Sequence, residues 1–167
     1  DLGWTAMSIP EIYGGLGLGY LELCVIAEEL GRSLAPVPFS SSVYLATEAI
    51  KSWGTEAQKQ HYLSELAAGK LIGTMAMNEG LGSPSIAMRI VEGRVSGNKI
   101  PVPDGDIADF TVLTARDHND NVGLYLVDLA DTGIKREVLT SMDPSRSQAR
   151  VTFDSAPAQA LGEAGET

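Results

Sequence analysis

Apolar positions recur with a helical period through the first seventy residues and with a strand period after that. Leu23, Ile26, Ala27 and Leu30 fall at i, i+3, i+4 and i+7, with Glu22, Glu28 and Glu29 mostly off that face. This spacing predicts a helix over residues 20–31, closed by Gly31. Pro36 and Pro38 then force an extended or turning segment from Ser33 to Ser41. Ala46, Ala49, Ile50 and Trp53 mark one face of a second helix from Ser42 to Trp53, which Gly54 ends. Thr55 followed three residues later by Gln58 fits a capping box. It opens a third helix carrying Leu63, Leu66 and Ala67 and ending at Gly69. The first nineteen residues, with Pro10 and Gly3, Gly14, Gly15, Gly17 and Gly19, predict an irregular loop. The Gly14–Gly19 run has neither the dinucleotide fingerprint spacing nor a Gly-Lys-Ser/Thr triplet, so it reads as a tight lead into a helix.

From Leu71 the period shortens. Strands are predicted at Ile72–Asn78, Ile86–Glu92, Arg94–Val102, Phe110–Ala115, Gly123–Asp128, Ile134–Val138 and Ala149–Phe153, with Gly-, Pro-, Asp- and Asn-rich turns between them. Short strands at even spacing suggest an antiparallel barrel or sandwich. The fold class is therefore α+β: a helical N-terminal segment followed by an antiparallel β-barrel-like domain. The division reads as a partial helical domain over 1–70, a β-domain over 71–155 and a linker over 156–167, whose Ala-, Gly- and Glu-rich sequence offers few anchors. The join, Leu71 to Asp109, is polar and glycine-marked, and ligand sites favour such domain interfaces.

Composition narrows the functions. The net charge of −10 counts against nucleic acid, whose binders carry a basic stripe, and against anionic membrane surfaces. Phosphate-bearing small ligands stay open, because backbone N–H groups bind them. No apolar run reaches transmembrane length, and the expected location is the cytoplasm. Cys24 is the only cysteine, which excludes a disulfide framework, and its apolar neighbours suggest a small buried core residue. His61 on the third helix and His118 in a polar loop lack ligand spacing, so no metal site is expected.

Several stretches together resemble the acyl-CoA dehydrogenase family. Trp4 with Pro10-Glu11-Ile12-Tyr13-Gly14-Gly15-Leu16-Gly17 resembles its W…P-E-x-Y-G-G-x-G entry. Glu28-Glu29-Leu30-Gly31-Arg32 resembles the end of a family helix. Gly54-Thr55-Glu56-Ala57-Gln58-Lys59 with Tyr62-Leu63 and Ala68-Gly69-Lys70 resembles its G-(S/T)-x-x-Q-K run. Ser96-Gly97-Asn98-Lys99, Ala108-Asp109 and the exit from Asp143 to Asp154 resemble middle-domain motifs.

The resemblance implies an FAD-dependent enzyme acting on an acyl-CoA substrate. In that family, hydride passes from the substrate β-carbon to flavin N5 while a glutamate removes the α-proton. That glutamate usually lies in a C-terminal helical bundle, which this chain is expected to lack, so no catalytic residue is assigned and the chain alone is expected to be inactive. The family's A-L-T-E-P falls on Ala76-Met77-Asn78-Glu79-Gly80, implying flavin contacts at Met77 and Asn78. Its K-x-W-I-T-N falls on Lys99 to Asp104, implying contacts at Val102 and Pro103, with Pro101 in place of the shielding aromatic. With a one-residue deletion, Ser83 faces the CoA part of the substrate. Asn78, Pro101 and Pro103 depart from the family residues, so FAD is expected to be weakly held or lost. The resemblance further implies an electron-transfer protein as acceptor and a homo- or hetero-oligomer. The alternative function is a non-catalytic, flavin-deficient partner subunit of a hetero-oligomeric dehydrogenase.

Overall fold

The computed structural model describes residues 3–80 and 85–163. Helix α1, Tyr20–Arg32, follows two short 3₁₀ turns at Trp4–Ala6 and Glu11–Tyr13. The Glu22 carboxylate accepts the Gly19 N–H at 2.9 Å, satisfying one of the donors that a helix start leaves open. Helix α2 covers 40–53 and begins as a π-helix, Ser40–Thr47, before tightening to an α-helix, Glu48–Trp53. Thr47 Oγ1 donates to the Ser42 carbonyl five residues back, a bond matched to the wider winding. Helix α3 covers 56–67 and starts as the capping box requires. Gln58 N–H donates to Thr55 Oγ1 at 3.3 Å, and Thr55 N–H donates to Gln58 Oε1 at 3.0 Å.

Eight strands follow among the described residues. They are β1 Gly73–Ala76, β2 Ile90–Val91, β3 Arg94–Pro103, β4 Phe110–Arg116, β5 Val122–Asp128, β6 Ile134–Val138, β7 Gln148–Pro157 and β8 Gln159–Ala160. They form two four-stranded sheets, ordered β1-β4-β5-β8 and β2-β3-β7-β6. A core of Val95, Val102, Leu113, Val127, Val151 and Phe153 lies between the inner faces. The architecture is α+β, with two open sheets in place of a closed barrel. One pairing departs from the antiparallel rule: β1 lies parallel to β4, Gly73 opposite Phe110.

Other boundaries move for local reasons. The predicted strand Ile86–Glu92 keeps ladder pairing only at Ile90 and Val91. Side chains and loops take up the backbone groups of Ile86 to Met88 instead. The tail is better anchored than its composition suggests. β7 runs to Pro157, β8 pairs with β5, and Leu161 is buried beside Ile50 and Leu63. Cys24 is exposed, because α1 turns Leu23 to the protein and leaves Cys24 and Val25 outside. Trp53, expected on the packed face of α2, is also exposed. His61 and His118 are both exposed, and among the described residues no cluster could hold a metal.

Helices and sheet meet at Gly73. A Cβ there would lie 2.5 Å from Ala46 Cβ and 2.7 Å from Phe110 Cζ, so only glycine lets α2 approach β1 this closely. Gly73 N–H donates to Ser42 Oγ at 3.2 Å across the same seam. Gly73→Ala is expected to destabilise the chain by about 1–3 kcal/mol through overpacking, measured by urea unfolding.

Candidate functional site

β1 ends at Ala76, and the chain leaves the sheet through Met77, Asn78 and Glu79. Both Met77 and Asn78 are exposed. The Asn78 carbonyl accepts the Ile100 N–H at 2.8 Å, so this exit lies against the bulged part of β3. The register of β3 against β7 slips between Lys99 and Val102. Val95, Gly97 and Lys99 alternate inward before the slip, and Val102 is the next residue to point inward after it. Pro101 sits in the bulge and is exposed.

The position of Lys99 is the unexpected feature. Its side chain is 0% exposed, inside a sheet core. Its three N–H donors meet three acceptors: the Met77 carbonyl at 3.1 Å, Glu79 Oε1 at 2.9 Å and Thr114 Oγ1 at 3.2 Å. Glu79 also accepts the Ala87 N–H at 2.8 Å and the Met88 N–H at 3.1 Å. Burial pushes the Lys99 ammonium below its ordinary value, against the opposing pull of Glu79. Burial alone would raise Glu79. The Lys99 hydrogen bond, the two amides and the Lys99 charge outweigh it and hold the carboxyl below its usual range.

A cleft of about 570 Å³ opens beside this cluster, lined by Glu79, Gly80, Asn98, Ile100, Pro101, Leu139 and Arg150. None of these lining residues is aromatic. A smaller cleft of about 220 Å³ lies between α1 and the start of α2, with Leu30, Leu34, Val37, Phe39 and Tyr44 as walls and Arg146 at one side. Arg146 pairs with the buried Asp104 carboxylate, which also accepts from Ser41 Oγ, and donates to Ser40 Oγ at 2.6 Å. These contacts fasten the β7 approach to the first turn of α2. The 570 Å³ cleft is the better candidate site, because it adjoins both the charged pair and the exposed backbone edge.

The residues expected to contact a flavin are divided by the structure. Met77 and Asn78 come together with Ile100 and Pro101 at the surface. Val102 points into the core at 0% exposure and pairs with Ala149, so its side chain is not at the cleft. Pro103 pairs with Gln148, and its carbonyl accepts from Thr74 Oγ1. Ser83 lies outside the described residues. In the sequence, Lys99 and Glu79 stand only as letters of family-like motifs, and Arg146 lies inside the stretch from Asp143 to Asp154.

The comparisons with known proteins agree with this architecture. The family model for the acyl-CoA dehydrogenase N-terminal domain matches residues 1–70. Mitochondrial isovaleryl-CoA dehydrogenase of Solanum tuberosum is 36% identical over 119 residues, covering 66% of this chain and 29% of that protein. Acyl-CoA dehydrogenase FadE27 of Mycobacterium tuberculosis is 31% identical over 136 residues, covering 80% of this chain and 36% of its own length. Among solved structures, the Tcur3481-Tcur3483 steroid ACAD superposes with a TM-score of 0.82 at 33% identity, covering 97% of this chain and 45% of that chain. The ChsE4-ChsE5 complex from Mycobacterium tuberculosis gives a TM-score of 0.86 at 25% identity, covering 98% and 46%. The chain belongs to the acyl-CoA dehydrogenase family. It spans about a third of the length of the curated relatives it matches. Among the described residues, no helix is long and apolar enough to cross a membrane.

The Glu79 shift fixes a pH dependence. With its folded pKa below the unfolded value of 4.5, the unfolded chain binds the extra proton first as pH falls. Stability contributed by this group is present above pH 4.5 and lost as pH drops through the folded value. Unfolding free energy followed from pH 6 downward is expected to fall less steeply in Glu79→Gln than in the natural chain.

Proposed function

We propose that the chain is the N-terminal and middle part of an FAD-dependent acyl-CoA dehydrogenase, with an acyl-CoA thioester as substrate and an electron-transfer protein as acceptor. The carrying observation is the exposed Met77–Asn78 edge beside the 570 Å³ cleft. The Met77 carbonyl is drawn inward by Lys99 and by Thr114, at 3.1 and 3.2 Å. A trans peptide points its C=O and N–H in opposite directions, so the Asn78 N–H points away from Lys99. Among the described residues it meets no acceptor. This N–H and the Asn78 carboxamide offer an edge suited to the carbonyls and ring nitrogens of an isoalloxazine. Val102 and Pro103 act behind that edge, as backbone support. When bound, the flavin supplies the hydride acceptor for α,β-dehydrogenation, at N5.

The division into a helical unit over 1–70, a β-unit over 71–155 and a connecting segment over 156–167 belongs to the same proposal. So do a place in the cytoplasm, a CoA-facing role for Ser83 and a homo- or hetero-oligomeric assembly. The second reading, a flavin-deficient partner subunit, draws support from the exposed Pro101 and the absence of an aromatic in the cleft lining. It also draws on two structural relatives whose names each pair two proteins.

Flavin titration separates the two readings. The dehydrogenase reading expects the full-length protein that carries this chain to bind FAD, followed by quenching of flavin fluorescence. Pro101→Trp is expected to tighten that binding roughly two- to twelvefold, since an aromatic stack adds about 0.5–1.5 kcal/mol. The partner-subunit reading expects no binding until a second subunit is added. The chain alone, supplied with FAD and an electron-accepting dye, is expected to turn over no acyl-CoA; steady dye reduction would count against that.

A further inference from the structure

A buried lysine is costly unless every donor is used, and an isolated ammonium in a sheet core would be expelled or neutralised. Lys99 is kept by three acceptors on two parts of the fold. Met77 and Glu79 lie on the segment leaving β1, and Thr114 lies on β4. β4 and β3 are in different sheets, so the ammonium joins both sheets to the exit of β1. Thr114 Oγ1 reaches the same Met77 carbonyl, so two donors fix one oxygen. The next carbonyl, of Asn78, is fixed by the Ile100 N–H, on the residue after Lys99. Both peptide planes around Asn78 are thus set from inside the protein, while its side chain faces out.

We propose that Lys99 is a positioning residue for flavin: by holding the Met77 carbonyl inward it presents the Asn78 N–H outward as a donor to the flavin ring. Glu79 serves the same end. It neutralises the ammonium and ties residue 79 to the amides of Ala87 and Met88. The proposal rests on the flavin-binding reading given above. It differs from that reading in assigning ligand affinity to a side chain that touches no ligand.

The test uses two variants with neutral, similarly sized side chains. Lys99→Met removes the donors, and Lys99→Met with Glu79→Gln also removes the charge left behind while keeping acceptors for the two amides. The double variant keeps the test valid where the single one fails to fold. Replacing both members of a buried pair is often neutral for stability, so an unchanged unfolding midpoint serves as the structural control. In the full-length protein, the FAD dissociation constant is expected to rise about tenfold, the equivalent of one hydrogen bond to a charged group. The bound flavin's visible absorption band is expected to shift as its hydrogen-bonding edge changes. Hydrogen exchange at the Ile100 amide, measured without flavin, is expected to speed up by a similar factor of about ten as the Asn78 carbonyl loosens.

Unchanged exchange at Ile100 in the double variant would overturn the proposal, and so would faster exchange with unaltered FAD affinity and spectrum. A natural protein that binds no FAD, with faster exchange in the variants, would sink the flavin reading and the ligand role of Lys99 with it. The hold of Lys99 on Met77 would then be left standing as architecture only.

Discussion

The close approach of α2 to β1 is the constraint on which the rest of the structure depends. Without a side chain at residue 73, Ala46 and Phe110 press directly against the strand. That contact fixes the height of β1 above β4, and so fixes where the chain leaves the sheet at Met77. The Asp104–Arg146 pair, reaching Ser40 and Ser41, fastens the first turn of the same helix to the ends of β3 and β7. A helix held at both points cannot slide along the sheet without breaking a buried charge pair. The cleft beside Pro101 therefore lies in a part of the molecule whose backbone is set by packing.

Two kinds of chemistry share this frame. Aliphatic and aromatic side chains fill the space between the sheets, where bulk and shape matter. A few charged groups then sit where apolar residues would have packed as well. Lys99 could be replaced in volume by methionine, yet the cation both bonds a carbonyl and a carboxylate and neutralises the carboxylate's charge. The Lys99 cluster joins strands of both sheets to the segment leaving β1, with every donor of the ammonium used.

Much of this was legible in the sequence. The 3.6-residue period located α1 to α3, and the Thr55–Gln58 box formed with both of its bonds. The 2-residue period located β3 to β7 to within a few residues. The misses have physical causes. Strand period alone cannot tell a parallel from an antiparallel neighbour, so the β1–β4 pairing was hidden. Cys24 and Trp53 sit in apolar company on helices packed on one side only, and periodicity does not say how wide the packed face is. The bulge moved Val102 inward, so adjacent motif letters ended on opposite sides of the sheet. Lys99 carried a usable signal: it falls two and four residues after Gly97 and Val95, on the inward face, where a charge demands a partner.

The order of the second sheet also bears on how the chain can be shortened or synthesised. β3 pairs with β7 over almost its whole length, Arg94 opposite Pro157 and Pro103 opposite Gln148. A ribosome-bound or truncated chain ending before Gln148 holds a ten-residue strand whose partner does not yet exist. Its backbone donors and acceptors stand open, a template for pairing with any neighbouring strand. The acceptors of Lys99, on Met77, Glu79 and Thr114, all precede Gln148, so the charged cluster can assemble before the strand that completes its sheet.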